Sequence, residues 1–164
     1  MIDLSDVLKV IHALVGIGLI SGLSGRWITL TAARRATDLP AVRTLLALSD
    51  RFERMAISSS ILVLVLGIAT ALAKGEPFLG PLQGAGINWL FAALVIYLSV
   101  IPLVPLVFLP RGRTFDAALQ DAISADRVTP GLTAAFRDPV VLAAHTYEFG
   151  AITLVLILMI AKPF

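Results

Sequence analysis

The chain has no cysteine, and that one absence removes disulfides, thiolate metal ligands and thiol nucleophiles together. Histidine is nearly as scarce, with two in 164 residues, so imidazole chemistry has few places to reside. Charged residues make up 15% of the chain and aromatics 7%. A net charge of +2 carries no electrostatic footprint for nucleic acid, so no nucleic-acid partner is expected. No stretch spells a catalytic motif whose spacing would name a reaction, and the sequence assigns neither an enzyme class nor a substrate.

What the chain has in abundance is long apolar runs: 58% of its residues are hydrophobic and the mean hydropathy is +0.93. Four runs stand out, at about 7–33, 55–73, 87–109 and 140–161. A hydrocarbon core of ~30 Å takes about 20 helical residues, and a helix satisfies its backbone hydrogen bonds internally. The expected fold is therefore all-α, a polytopic four-helix membrane bundle forming a single transmembrane domain over 1–164. Its surroundings are a lipid bilayer.

Basic residues set the orientation, because short Arg- and Lys-rich connections stay in the cytoplasm. The first connection holds Arg34, Arg35, Arg43, Arg51 and Arg54; the third holds Arg111, Arg113, Arg127 and Arg137. The opposite side has Lys9, Lys74 and Lys162. Both termini are expected on the extracytoplasmic side of a bacterial inner membrane. Asp3 and Asp6 occupy the place where a secretory signal would need positive charge, so the first run reads as a retained span.

The connections carry helix signals of their own. Asp38 and Pro40 mark a helix start, and Leu45, Leu46, Leu48 and Phe52 continue an apolar face into the second span. Phe115, Ala118, Leu119, Ala122 and Ile123 recur at helical spacing, which predicts an interfacial helix at about 114–125. Its opposite face is acidic, which suits packing against the bundle or a partner better than anionic lipid. Thr129, Pro130 and Gly131 break the chain, and Asp138 with Pro139 starts the last span.

Within the spans, Gly16, Gly18, Ser21, Gly22, Ser24 and Gly25 give the first helix a small-residue face that admits a second helix closely, in this chain or in a membrane-protein partner or homo-oligomer. Pro102 and Pro105 predict a kink in the third span by freeing the carbonyls of Leu98 and Ile101. Ionisable groups at depth are costly unless paired or facing a cavity. Counted at ~1.5 Å per residue, Arg26, Ser59, His145 and Glu148 fall in the cytoplasmic half, and His145 and Glu148 share a helix face within reach of Arg26. They form the expected buried polar cluster, most simply a structural ion pair, alternatively a proton relay or anion site.

A second group lies near the opposite surface, with Lys9 and His12 on the first helix and Met159 and Lys162 on the fourth. Imidazole with thioether suits haem iron or copper. His12, with Met159, is thus the expected cofactor site and His12 the expected metal ligand, for haem b or copper. His12 and His145 lie ~18 Å apart in depth, too far to share one haem.

The segment Lys9-Val-Ile-His12, the glycines that follow it, Arg26, Gly67 in the second span and the ending Leu158-Met159-Ile160-Ala161-Lys162-Pro163 resemble an uncharacterised bacterial family described as predicted integral membrane protein, with a domain of unknown function. Over the first helix and the four-span size, the chain is more distantly similar to the four-helix membrane protoporphyrinogen oxidase and to copper-resistance D type membrane proteins. The oxidase resemblance implies a haem or porphyrin role for His12, with Arg26 near that family's following arginine. The aliphatic segment Ile17 to Leu23 departs from its aromatic first helix, and the oxidase activity is not carried over. Three classes of function follow: a haem- or copper-handling component using His12, a non-enzymatic accessory subunit of a membrane complex, and a small transporter using Arg26, His145 and Glu148.

Overall fold

The computed structural model describes residues 3–163; Met1, Ile2 and Phe164, which the expected 1–164 domain includes, lie outside the described residues. No strand forms among the described residues. Helix α1 spans Leu4–Arg35, α2 Leu39–Lys74, α3 Trp89–Val100, α4 Leu109–Ser124, α5 Pro130–Ala135 and α6 Pro139–Ala161. Four helical stretches are long and apolar enough to cross a membrane: α1, α2, the run Trp89–Ser124 and the run Pro130–Ala161.

Caps explain most of the boundaries. Before α1, the Ser5 hydroxyl donates to the Asp3 carboxylate at 2.7 Å and holds that exposed carboxyl below the usual carboxylate range. Helix α2 starts where Asp38 accepts from the Ala41 amide at 2.8 Å with Pro40 in the first turn, as Asp38 and Pro40 predict. It ends at Gly75, whose φ of 68° lets the Glu76 amide turn back to the Ala71 carbonyl at 2.9 Å. Asn88 caps α3 through the Phe91 amide, Thr129 caps α5 through Leu132, and Asp138 caps α6 through Val140 and Val141.

The prolines act where expected, and their effect extends further along the chain. Regular α-helix stops at Val100, and the carbonyls of Leu98 and Ile101 are taken up by tighter bonds from the Ile101 and Val104 amides, at 3.3 and 3.2 Å. A wider π-helical segment, Val104–Phe108, then leads directly into α4. The spacing at 114–125 predicts an interfacial helix, and the structure is helical over Leu109–Ser124, joined directly to the third span. Pro110 falls in the first turn of α4, where a missing N–H costs little. Likewise Pro130 and Gly131 begin the short α5 instead of a plain break.

Helices α1 and α2 form the tightest pair, antiparallel and close enough that a Cβ on Gly22 would lie 2.7 Å from the Ala56 backbone nitrogen. Gly25 meets Phe52, Gly18 meets Ser59, and Gly67 of α2 meets His12 of α1. The small-residue face of α1 is therefore used within the chain. Helix α3 joins the bundle through the Tyr97 hydroxyl, which donates to the Ser60 carbonyl at 2.7 Å, and through the Ser99 and Tyr147 hydroxyls, 2.6 Å apart.

Two apolar cores result. Leu19, Leu23, Ala56 and Ile152 tie α1, α2 and α6 together mid-bundle. Leu39, Val42, Ala122 and Leu132 join the start of α2 to α4 and α5, with Phe115 edge-on to Phe136 at 5.0 Å. Val42 and Leu132 are fully buried there, each contributing on the order of 2 kcal/mol if that core faces water. This second core caps the Arg-rich end of the bundle and positions the walls of the cavity beneath it.

Candidate functional site

Between α1, α2, α4 and α6, at the Arg-rich end, lies a cavity of about 430 Å³, within the usual range for small-ligand sites. Arg26 and His145 line its inner part. Arg26 forms an ion pair and hydrogen bond with Glu148, and the two side chains are 9% and 14% exposed. His145, one turn before Glu148 on α6, brings Nδ1 to 3.6 Å from the same carboxylate oxygen. The spacing of Arg26, His145 and Glu148 thus predicts a meeting that the fold makes: α1 and α6 run antiparallel, and the Leu19, Leu23 and Ile152 contacts hold them in register.

Aromatic rings frame the charged group. Phe108, the last residue of the π-helical segment, stacks on His145 with centroids 4.7 Å apart and lies 5.8 Å from the Arg26 guanidinium carbon. The displaced backbone after Pro105 delivers this ring to the site. Trp27 and Phe149 approach to 6.3 Å and line the cavity with Phe115, Leu23 and Leu30. At the rim, Arg111 donates to Asp138 at 2.7 Å, joining α4 to the cap of α6. Arg34, Asp50 and Glu53 also line the cavity.

Phe108, Trp27 and Phe149 are not singled out by motif or spacing. A signal exists for two of them: Trp27 directly follows Arg26, and Phe149 directly follows Glu148. Phe108 carries no such mark, because its position depends on the π-helical turn.

Ser59 does not join the cluster. It is buried in the α1–α2 seam against Gly18, whose added Cβ would lie 3.0 Å from its Oγ. Gly18 precedes Arg26 by two turns, so Ser59 sits about 12 Å further along the bundle. The face of α2 that carries Ser59 is committed to α1.

His12 also lies in the α1–α2 seam. A Cβ on Gly67 would be 3.1 Å from its Cε1, and its Nδ1 is buried without a hydrogen-bond partner. Met159 belongs to α6 and is only partly buried. Among the described residues no group of three or more His, Cys, Asp or Glu side chains gathers to hold a metal. One imidazole pressed against a glycine of the neighbouring helix supplies too few donors for copper and too little room beside it for a macrocycle, so the residues present do not fit the haem or copper expected at His12.

Four membrane-length helices, with a charged pair and a histidine at the foot of an aromatic-walled cavity, define a polytopic integral membrane protein with an internal polar site. The chain belongs to the family described as predicted integral membrane protein (DUF2269), whose family model matches residues 6–163. No curated protein and no solved structure matches it, and the distant similarity to the oxidase and copper-resistance families finds no support there.

Proposed function

We propose that this protein binds a small solute in the cavity at its Arg-rich end, as a solute-binding or transport component of the bacterial inner membrane. The observation that carries this reading is the placement of Arg26 and His145, the two groups that contact Glu148, on a cavity instead of in a sealed helix interface. Helix association does not need a charged trio at depth, and such groups in membrane spans characteristically mark substrate or ion paths. An accessory role accounts for the ion pair as structure but not for its place beside a cavity, and a haem or copper role at His12 lacks ligands.

In this reading the cavity opens to the cytoplasm and both termini lie outside, the orientation that the basic residues favour. Residues 1–164 then act as one transmembrane domain.

The absence of cysteine makes the test clean. Leu30→Cys places a thiol on the cavity wall, and Ile28→Cys places one on a lipid-facing position that is 66% exposed in the protein alone. In inverted membrane vesicles a membrane-impermeant maleimide should label the Leu30 variant and not the Ile28 variant. Failure to label Leu30→Cys from the cytoplasmic side, in a folded protein, would remove the solute-accessible cavity and the reading with it.

A further inference from the structure

We propose that the cavity takes an amphipathic monoanion together with one proton, the anionic group seated on Arg26 and His145 and the apolar body lying between Trp27, Phe108 and Phe149. This rests on the reading of the cavity as a solute site and names the class of solute.

A guanidinium has five N–H donors, yet among the described residues the only side-chain hydrogen bond that Arg26 makes goes to Glu148. The Arg26 side chain is 9% exposed, neither of its two unbonded nitrogens is fully buried, and it lines the cavity. It therefore has spare donors on a side chain held largely inside the protein and bordering the cavity. Guanidinium presents donors in a planar fork that matches a carboxylate, sulfonate or phosphate oxygen pair. His145, beside it, is fixed by its stacking on Phe108 and becomes a second donor when protonated.

The wall of the cavity selects the rest of the molecule. Trp27, Phe108 and Phe149, with Leu23 and Leu30, give the space beside Arg26 an extended apolar wall, shared with the polar side chains of Thr31 and Ser49. A fully hydrophilic anion would lose its hydration there and gain nothing from the rings. A molecule with one anionic end and an apolar body matches both parts.

Charge balance brings in the proton. Arg26 and Glu148 already neutralise each other, so an added anion leaves the inner cavity one negative charge in excess, in a low-dielectric setting where that is costly. Taking up one proton with the anion restores neutrality. The other charged groups facing this space are Arg34 of α1, Asp50 and Glu53 of α2, and Arg111 and Asp116 of α4. Asp138, at the start of α6, is paired with Arg111. All six line the same cavity, Glu53 at about the depth of Arg26, and the acidic ones oppose an anion that enters without its proton.

Trp27 reports on the site directly, since Trp89 is at the far end of the bundle, beside Lys162. In the Trp89→Phe protein, reconstituted in lipid nanodiscs, tryptophan emission is followed while octanesulfonate, octylammonium or octanol is added. The three probes share a chain and keep their charge over the range used, so any pH effect belongs to the protein. Octanesulfonate should give a saturable change, binding roughly tenfold tighter or more at about pH 6 than at about pH 8 by proton linkage. Glu148→Gln removes the competing charge, and should bind the sulfonate tighter at about pH 8 and with little pH dependence. Arg26→Lys keeps the charge and loses the fork, and should bind about tenfold more weakly or worse. A purely structural role for the ion pair predicts weaker binding in both variants. Equal or tighter saturation by octylammonium or octanol, or sulfonate binding indifferent to pH, overturns the monoanion class while leaving the cavity reading intact. No saturable binding of the sulfonate in a protein whose Leu30→Cys form is labelled likewise overturns this inference alone, whereas failure of that labelling overturns both.

Discussion

Arg26 and Glu148 are 122 positions apart in the chain and form one ion pair across the α1–α6 interface, with His145 on the same carboxylate oxygen. Both side chains are largely buried, so removing one partner strands a charge where water reaches it poorly. Arg26→Ala or Glu148→Ala alone should destabilise the bundle by about 3–5 kcal/mol, while a volume-matched apolar pair at both positions should lose much less. Thermal unfolding in one detergent, compared across the two single variants and the double variant, checks this. Equal losses in all three would mean that the pair's charges are solvated in the native protein.

The close approach of α1 and α2 makes a contrasting prediction for two glycines on one helix. A Cβ at Gly22 would meet the Ala56 backbone at 2.7 Å, and backbone cannot rotate away. Gly22→Ala should cost about 1–3 kcal/mol by overpacking. Gly16 has nothing within 4 Å of its added Cβ, so Gly16→Ala should be neutral or gain about 0.5–1 kcal/mol from helix propensity. The same unfolding assay separates them, and a Gly22 variant as stable as the Gly16 variant would show that the helices can part without loss.

Hydropathy alone locates the four membrane-length helices, because apolar runs of bilayer length admit few other conformations. Asp38 and Asp138 announce their helices in the sequence, because capping depends only on neighbours within a turn. Arg26, His145 and Glu148 are legible there as one group, because the cost of intramembrane charge is a local property that demands a partner. Ser59 is misplaced by the same counting for the opposite reason: depth along a helix does not reveal which neighbour its face meets, and Ser59 faces Gly18. Phe108 is invisible in the sequence because a π-helical turn changes the phase of every residue after Pro105, and periodicity cannot follow a phase change it does not detect.

Asp138 has two tasks that conservative substitution can separate. Its carboxylate accepts from the Val140 and Val141 amides at 2.9 and 3.3 Å and from Arg111 at 2.7 Å. Asp138→Ala should lose the cap, about 0.5–2 kcal/mol. Asp138→Asn keeps an acceptor for the amides and gives up the charge facing Arg111, a partly exposed pair worth at most about 1 kcal/mol. Unfolding midpoints for the two variants should therefore fall in the order Ala below Asn below the unaltered protein. An Asn variant no better than Ala would assign the larger share to the Arg111 contact.

The ends of the bundle can be assigned to sides of the membrane by the same residues that join them. Lys74 lies 3.8 Å from Asp6, and Lys162 lies 5.1 Å from the Trp89 ring centre, so the start of α1, the end of α2, the start of α3 and the end of α6 share one end. The other end carries Arg34, Arg35, Arg51, Arg54 and Arg111. In the orientation we propose, retention of arginine-rich connections puts that second end in the cytoplasm. A reporter enzyme that folds only outside the cytoplasm, fused after residue 163, should be active, and the same reporter inserted in the connection at residues 36–38 should be silent. The reverse pattern would turn the molecule over, and the cavity above Arg26 would then open to the outside. If the proposed orientation holds, neutralising Arg34, Arg35, Arg51 and Arg54 together should shift a fraction of the protein toward that reversed pattern, by weakening the positive charge that favours a cytoplasmic first connection.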